Sequence, residues 1–518
     1  MKGLIFEALT PQADAASNRT DLVCFIGFAK LRDVEVPEDL RQSLQREGWW
    51  KTATSAGSQP GTNSLYDVPI TIASWERFDQ LFAWDQRSYG DGATLGATYL
   101  GAAVRSFFAQ GGRKCYVVSC GEPVALDADR ATRDAMLLKL VPTYSGQRSD
   151  RSQWHGLHHL FGLPGASFVA LPDLPELAGI YREATTTPIV VPPPMPAFVE
   201  CSQPTAPLAE EKQVIHLAAP SCTDDEYDRW CSIIHRAALF IADHRRDMQL
   251  LAALPMPQRE SQAASSLLGF MHQRGWLSGT LSEQSSLASA FLQLGYPWLQ
   301  AGYGGDLPAN LEPPEGVMAG LLARNALTRG TFRSATALAL HDLINVAPPL
   351  RQSEQFGLNR QAPLLASPQS PLIDRVSLIG PTPEGMGLLS DVTTSNDSNY
   401  RQANVSRTLG LVMRVARSIG EEYVFESSGE RLWSQLQARL EDVLSAMQRV
   451  GALNGTRPGE AFQVRCDRST MTQQEIDNGR VIVQVLIRPA ASIETMRIQL
   501  AFGDSGHVSL SSLGMEAA

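Results

Sequence analysis

The chain has 518 residues, more than one ordinary hydrophobic core holds together, so we expect at least two domains. Its formal net charge of −10 argues against a general nucleic-acid binder, because such domains are usually strongly basic. The sequence has no apolar run of the roughly 18 residues that a membrane span needs, and its start lacks the pattern of a secretory signal. We therefore expect no direct membrane insertion.

Seven cysteines lie scattered along the chain, mostly among apolar neighbours: Cys24, Cys115, Cys120, Cys201, Cys222, Cys231 and Cys466. Their odd number and spacing predict reduced core residues rather than a disulfide framework. This usage indicates that the protein is made and assembled in the cytoplasm. If it leaves the cell, we expect lysis or transport within an assembled particle.

The first predicted element is a short strand formed by Leu4, Ile5, Phe6 and Glu7, which a polar stretch separates from a second strand at 22–28. The backbone polar groups of a lone strand need hydrogen-bond partners. The strand pairs either with a neighbouring molecule or, as an edge strand, with its own domain. The residues leave both alternatives open.

Residues 71–119 alternate strand, helix and strand. Ser74 is a predicted helix N-cap, and the glycine pair at 111–112 ends a helix rich in small residues at 95–108. A helix, a glycine stop and an apolar strand are typical of an α/β crossover. The alternation resumes over 224–299 and predicts a mainly parallel sheet with helices on its faces.

The pattern is least regular at 121–220, which we interpret as a surface insertion with a buried strand at 167–171. The proline-rich run at 191–196 predicts a polyproline linker. The sequence therefore predicts the following units: an arm (1–20), an α/β domain (21–345) and a C-terminal α+β domain with its own arm (346–518).

The C-terminal domain begins with two predicted amphipathic helices. In the first, one face carries apolar residues at helical spacing: Val405, Leu409, Val412 and Ala416. The opposite, outer face carries three arginines: Arg407, Arg414 and Arg417. The second helix has an apolar stripe over 432–447 and ends at Gly451.

A pair of strands follows the second helix. The first, at 481–487, places these residues on one face: Val481, Val483, Val485 and Ile487. The second, at 496–502, places these on one face: Met496, Ile498, Leu500 and Phe502. Such alternation predicts half-buried strands, and Pro489 ends the first one because proline cannot donate to a ladder.

Short motifs occur in a fixed order across this region: Asn404-Val405-Ser406-Arg407-Thr408, Phe425-Glu426, Leu432-Trp433, Gly451-Ala452-Leu453-Asn454-Gly455, Glu460-Ala461-Phe462-Gln463-Val464-Arg465-Cys466-Asp467 and Asn478-Gly479-Arg480. Together they resemble the C-terminal domain of contractile tail sheath proteins, which form the sleeve of contractile phage tails, tailocins and contractile injection systems. The α/β region shows the same resemblance at Ala103-Val104-Arg105-Ser106-Phe107-Phe108, Cys115-Tyr116-Val117-Val118, Pro313-Pro314 and Arg329-Gly330. A Trp-Gly-Ala-Arg-Thr-like motif of many members is missing, and 388–393 stands in its place.

The resemblance implies a mainly parallel, subtilisin-like α/β sheet domain followed by an α+β domain with strand-exchange arms. It implies a structural subunit that stacks as hexameric rings around an inner tube and contracts to drive the tube through a target envelope. The implied partners are other copies of the chain, an inner tube protein, baseplate and cap proteins and a second sheath paralogue. It implies no enzyme activity, cofactor or metal.

The same resemblance assigns roles to two groups of residues. The inter-subunit arms comprise Leu4, Ile5, Phe6, Glu7, Val483, Val485, Ile487, Met496, Ile498, Leu500 and Phe502. The three arginines Arg407, Arg414 and Arg417 would contact the inner tube, with a solvated helix face as the alternative.

Two other functions are weighed against this interpretation. A minor sheath paralogue at the baseplate is favoured by the divergent connection at 352–397. A serine hydrolase is suggested by Gly503-Asp504-Ser505-Gly506, but the histidine motif that such a serine needs is missing upstream. His155, His158 and His159 lack further ligands for a metal, so we predict a solvated helix end there.

Overall fold

The computed structural model describes residues 19–33, 35–50, 65–89, 94–144, 150–180, 185–189, 212–283, 285–302, 307–351, 372–423, 426, 429–478, 480–490, 499–502 and 508–511. The strands are β1 (Val23–Gly27), β2 (Lys30–Leu31), β3 (Ile70–Ile72), β4 (Phe82–Ala83), β5 (Arg87–Tyr89), β6 (Thr94–Gly96), β7 (Cys115–Ser119), β8 (Phe168–Ala170), β9 (Thr185–Ile189), β10 (Lys212–His216), β11 (Ser221–Cys222), β12 (Gln249–Ala253), β13 (Met256–Pro257), β14 (Leu292–Tyr296), β15 (Trp298–Ala301), β16 (Leu343–Ala347), β17 (Ser377–Thr382), β18 (Gly385–Leu388), β19 (Phe462–Arg465), β20 (Gln484–Ile487), β21 (Gln499–Phe502) and β22 (Val508–Ser511). The helices are α1 (Glu38–Arg46), α2 (Trp75–Leu81), α3 (Tyr99–Ala109), α4 (Arg130–Leu140), α5 (Leu174–Ala178), α6 (Asp224–His244), α7 (Gln262–Ser265), α8 (Leu267–Gln273), α9 (Glu315–Thr328), α10 (Ser398–Arg401), α11 (Ala403–Glu422), α12 (Glu430–Arg449), α13 (Pro458–Ala461) and α14 (Gln473–Asp477).

One large sheet organises the first three quarters of the chain. Its strand order is β18-β17-β14-β12-β8-β1-β7-β3. The strands from β17 to β7 run parallel, and the two edge strands β18 and β3 are antiparallel to their neighbours. All five residues of β1 are buried, as expected for a strand covered by helices on both faces. The prediction of a mainly parallel α/β sheet is confirmed.

Helices cover both faces of this sheet and enclose two hydrophobic cores. One core lies under α4, α5, α6 and α8, and the other under α1, α2, α3 and α9. Helices α3 and α9 cross at very short range, because a Cβ atom on Gly316 would lie 2.4 Å from the Cα of Ala103. The small residues predicted for 95–108 therefore serve this helix contact.

The structure differs from the prediction in the role of the 121–220 segment and in the start of the C-terminal unit. Strand β8 lies in the centre of the sheet between β1 and β12, so 121–220 is not simply a surface insertion: it supplies a core strand together with α4 and α5. All three residues of β8 are buried. The sequence of so short an apolar strand does not show which strands lie on either side of it. The proline-rich run at 191–196 lies outside the described residues.

The second difference concerns the start of the C-terminal unit, predicted at 346. Strands β17 and β18 follow that position yet pair with the main sheet. A third hydrophobic core then forms between α11, α12, β19 and β20. Both predicted amphipathic helices are present, and Gly451 ends α12 with a φ of +80° while the N–H of Ala452 donates to the Met447 carbonyl.

Six of the cysteines fall in the described part of the chain, where each is a buried free thiol, as predicted for reduced core residues. Cys201 lies outside that part. Among the described helices, none combines the length and apolar character needed to cross a bilayer.

Candidate assembly surfaces

The residues predicted as strand-exchange arms fall into three groups. Leu4, Ile5, Phe6 and Glu7 lie outside the described residues, as do Met496 and Ile498. Leu500 and Phe502 belong to β21, which forms an antiparallel hairpin with β22 of the same chain. Val483, Val485 and Ile487 pack against the third core.

The structure changes the predicted partner of the 481–487 strand. Strand β20 pairs with β19, so that Val485 lies opposite Val464 and Ile487 opposite Phe462. The sequence order had suggested that the strands at 481–487 and 496–502 pair with each other. In the structure β20 pairs with β19, and β21 pairs with β22. Strand β20 returns to β19 because both bury alternate apolar residues against α12.

The β19–β20 ribbon has an edge, along β20, that no described strand covers. No described residue pairs with the second edge of β20, and Leu486 on its outer face is 65% exposed. A two-stranded ribbon is marginal alone, and an unpaired edge is a template for a further strand. This edge is the described surface best suited to receive a strand.

Helix α11 joins the C-terminal unit to the main sheet. Its residues from Ala403 to Thr408 are all buried, unlike a surface helix with one buried face. A Cβ atom on Gly410 would lie 2.6 Å from the Asp247 carbonyl oxygen, so the helix packs closely on the chain just before β12. Gln249 donates from its side-chain amide to the Ala403 carbonyl at 3.2 Å and strengthens the same joint.

The first buried ion pair of this joint links Arg407 to Asp391. The two guanidinium–carboxylate hydrogen bonds are 2.9 and 2.5 Å long, and both side chains are buried. Gln293 and the Ala335 N–H also donate to Asp391. Burial would raise the pKa of Asp391, but the Arg407 charge and these hydrogen bonds outweigh it and hold that pKa below its ordinary value.

The second cluster centres on Asp247, whose carboxylate is buried. Arg245 donates to it at 3.1 and 3.2 Å, and Arg417 approaches it at 3.4 and 3.5 Å. Arg414 donates instead to the Asp247 backbone carbonyl at 2.7 Å. These contacts fasten the middle of α11 to the α/β unit.

The prediction that the three arginines occupy an exposed outer face is wrong for Arg407 and Arg414. Both are buried within the chain, because the Asp391 carboxylate and the Asp247 backbone carbonyl meet the face of α11 opposite its apolar stripe. Arg417 keeps 43% of its side chain exposed. Contact with an inner tube is untested for all three and stays a prediction, which we keep for Arg417.

The carboxyl edge of the main sheet is where ligands bind in many open α/β folds. Here Asp173, which follows β8, fills the crevice and accepts hydrogen bonds from the N–H groups of Phe28 and Leu100 at 2.6 and 3.0 Å. Burial, with the nearby Glu176, raises the pKa of Asp173 to about 7. Arg87 forms a buried ion pair with Glu176 beside it. The crevice is thus occupied by the chain's own side chains.

The histidine motif differs from its prediction. Residues Gly156–Gly162 form a 3₁₀ helix in which His158 and His159 are buried, so they do not form a solvated helix end. Burial lowers the pKa of His158 to about 4, and neighbouring histidines add to this effect. Among the described residues, no group of three or more candidate ligands is arranged to hold a metal ion. Ser505 lies outside the described residues.

Comparison with known proteins identifies this architecture. No protein-family model matches the sequence, and no curated protein matches it. A chain in the contracted baseplate of the anti-feeding prophage (AFP) matches with 18% identity and a TM-score of 0.58, over 96% of this chain and 97% of that chain. A chain of the contracted sheath complex of PVC, an extracellular contractile injection system, matches with 17% identity and a TM-score of 0.52, over 98% of this chain and 99% of that one. A chain of the contracted AFP helical sheath matches with 16% identity and a TM-score of 0.53, over 96% and 98%.

Proposed function

We propose that this chain, which has the fold of contractile injection system sheath proteins, is a structural subunit of a contractile sheath. Copies stack as hexameric rings around an inner tube, and the sleeve shortens to drive the tube through a target envelope. The observation that carries the proposal is the match over nearly the whole length of both chains to a sheath complex and a helical sheath. A match limited to one common domain would not carry it.

Strand exchange between copies is the proposed means of assembly. The open edge of β20 supplies a receptor, and the N-terminal segment 1–18 and the chain after Ala490 supply candidate strands. Backbone ladders keep neighbouring subunits connected while other contacts between them change, as a sleeve that shortens requires. The partially exposed Arg417 offers a positive charge for an inner tube with a negative surface.

Deletion of residues 1–9 tests this assembly route. The shortened protein should remain folded, because the three hydrophobic cores are formed by described residues from Val23 onwards, but it should no longer form sheath. The comparison requires circular dichroism for the fold and negative-stain microscopy for the assemblies. Cylinders of wild-type length from the truncated protein would contradict strand exchange through this arm.

A sheath-like subunit at the baseplate is the second candidate function. The observation in its favour is the match to a chain of the contracted AFP baseplate at a TM-score of 0.58; a chain of the 6-fold symmetrised AFP baseplate matches at 0.53, the same value as the helical sheath. The main sheath protein should polymerise by itself into long cylinders, whereas a baseplate adaptor should stop at single rings. The length distribution of assemblies from the purified chain separates the two.

A further inference from the structure

Two acidic side chains are buried together in the crevice at the carboxyl edge of the main sheet. Asp173 follows β8, and Glu315 is the first residue of α9. Only 4% of Asp173 and 1% of Glu315 is exposed. A Cβ atom on Gly27 would lie 2.3 Å from the Asp173 Oδ2, so this carboxyl group lies directly against the end of β1.

The two carboxyl groups differ in their hydrogen bonds. Each oxygen of Asp173 accepts a backbone N–H, one from Phe28 and one from Leu100 near the start of α3. One oxygen of Glu315 accepts the Ala253 N–H at 2.7 Å, and its Oε2 has no hydrogen-bond partner among the described residues. Donors stabilise the charged form of a carboxyl group, so Asp173 is better placed than Glu315 to carry a charge.

The groups around this pair do not balance two negative charges. Arg87 of β5 donates to both carboxylate oxygens of Glu176 on α5, in a buried ion pair. Among the described residues, no cation lies within ion-pair distance of Asp173 or Glu315. Two further ionisable groups on adjoining elements are uncharged at neutral pH: the buried Cys120 thiol after β7 and the Tyr99 phenol on α3.

Charge and burial together favour one proton on the pair. Two buried carboxylates without a cation between them cannot both be stable in the charged form. Burial, with the nearby Glu176, raises the pKa of Asp173 to about 7. Burial raises the pKa of Glu315 to about 8, and the charge of Asp173 adds to this effect.

We propose that Asp173 and Glu315 form a proton lock, in which Glu315 carries a proton at neutral pH and Asp173 carries the negative charge. The lock fastens the start of α3 to the end of β1 through Asp173, and the start of α9 to the end of β12 through Glu315. Loss of the proton at alkaline pH places a second charge in the crevice and opens these contacts. The lock does not depend on the proposed sheath function.

The direction of the pH effect follows from the raised pKa of Glu315. Its folded pKa of about 8 exceeds the ordinary value of 4.5, so the folded chain holds a proton that the unfolded chain has released. The contribution of the lock to stability is therefore full below about pH 4.5 and is lost as the pH rises through about 8.

Hydrogen exchange of the full chain at pH 7 and pH 9 tests the lock. Conversion of the rates to protection factors removes the intrinsic effect of pH on exchange. Protection of the Ala253 N–H should fall about tenfold over this range, because a group with a folded pKa of about 8 loses most of its proton there. Glu315→Gln stays neutral and should abolish this tenfold fall. The matched variant Glu312→Gln removes a buried carboxyl group outside the crevice and should keep the fall.

An equal fall in the wild type and in Glu315→Gln would overturn the proposal. It would also be overturned if Glu312→Gln reduced the fall as strongly, because the effect would then belong to the whole fold and not to the crevice.

Infrared spectroscopy gives an answer that does not require Glu315→Gln to fold. In Glu312→Gln at pH 7, the C=O stretch of a protonated carboxyl group should remain, and it should be lost as the pH rises to 9. A band that is absent at pH 7, or unchanged at pH 9, would contradict the lock.

Discussion

At the scale of single residues, the ion pair between Arg407 and Asp391 fixes the first turns of α11 to the segment that follows β18. Removing one partner of a buried pair leaves the other charge without compensation. We expect Arg407→Met to lower the free energy of unfolding by about 3–5 kcal/mol, as measured by urea denaturation. This loss would also show that the face of α11 opposite its apolar stripe is structural.

The exposed pair between Glu422 and Arg439 provides the control for that experiment. It links the last residue of α11 to α12, with a separation of 3.7 Å and more than half of each side chain exposed. Glu422→Gln should change the free energy of unfolding by less than about 0.5 kcal/mol. If the two variants lost equal stability, the contrast between buried and surface pairs would be wrong here.

Glu312 predicts a dependence of stability on pH. Its carboxyl group is buried and accepts hydrogen bonds of 2.7 and 2.8 Å from the Ser106 hydroxyl, and burial raises its pKa from 4.5 to about 8. Because the folded pKa exceeds the unfolded one, its contribution is full below about pH 4.5 and is lost as the pH rises through about 8. Each pH unit in this window costs up to about 1.4 kcal/mol for the group.

The variant Glu312→Gln, which stays neutral, should therefore lose less stability than the wild type between pH 5 and pH 8. Denaturant unfolding at several pH values measures this slope. Burial also raises the pKa of Glu315 to about 8, so the variant should keep part of the dependence. Glu421→Gln, at an exposed position on α11, should leave the slope unchanged, and an unchanged slope in Glu312→Gln would contradict the assignment.

At the scale of elements, the contact between α3 and α9 depends on the absence of side chains at its centre. A Cβ atom on Gly320 would lie 2.5 Å from the Phe107 carbonyl oxygen. We expect Gly320→Ala to separate the helices and lower the unfolding free energy by about 1–3 kcal/mol. The opposite change is expected for Gly420→Ala on α11, where nothing lies within 4 Å and alanine should add about 0.5–1 kcal/mol.

The outer face of β20 carries the element-scale prediction for assembly. Leu486→Asp places a charge on the open ribbon without disturbing the packed face, so the monomer should fold and polymerisation should fail. Leu138→Asp on α4, where the leucine is also more than half exposed, is the matched control and should polymerise normally. Sedimentation of the two variants under assembly conditions measures the difference.

The sequence predicted some elements well for a physical reason. Helices α11 and α12 follow from their 3.6-residue apolar period, and Ser74 caps α2 by accepting a hydrogen bond from the Arg77 N–H at 3.3 Å. Such signals are local. The apolar period of α11 also predicted that its arginines lie on the opposite face of the helix, and the structure places them there.

The same period could not predict what those arginines contact. Asp391 lies 16 positions before Arg407, and Asp247 lies 167 positions before Arg414. Nothing in a single sequence pairs residues across such distances. The central place of β8 and the burial of His158 were missed for the same reason, since both depend on neighbours that are far away along the chain.

At the scale of the whole molecule, the chain combines an eight-stranded sheet, with one hydrophobic core on each face, and a C-terminal ribbon in which no described strand pairs with the second edge of β20. The joint at α11 connects them through the buried Arg407–Asp391 pair and the partly exposed Arg417–Asp247 pair, so we expect the two parts to move together when subunits rearrange. Contacts between subunits would then change while this joint stays intact. That division of roles suits a sleeve built from repeated copies.

Electron cryomicroscopy of the purified full-length chain under assembly conditions tests the central claim most directly. The account predicts helical cylinders of stacked rings in which a strand from a neighbouring copy pairs with the open edge of β20. A small closed oligomer or a monomer at high concentration, with that edge paired by a segment of its own chain, would contradict it.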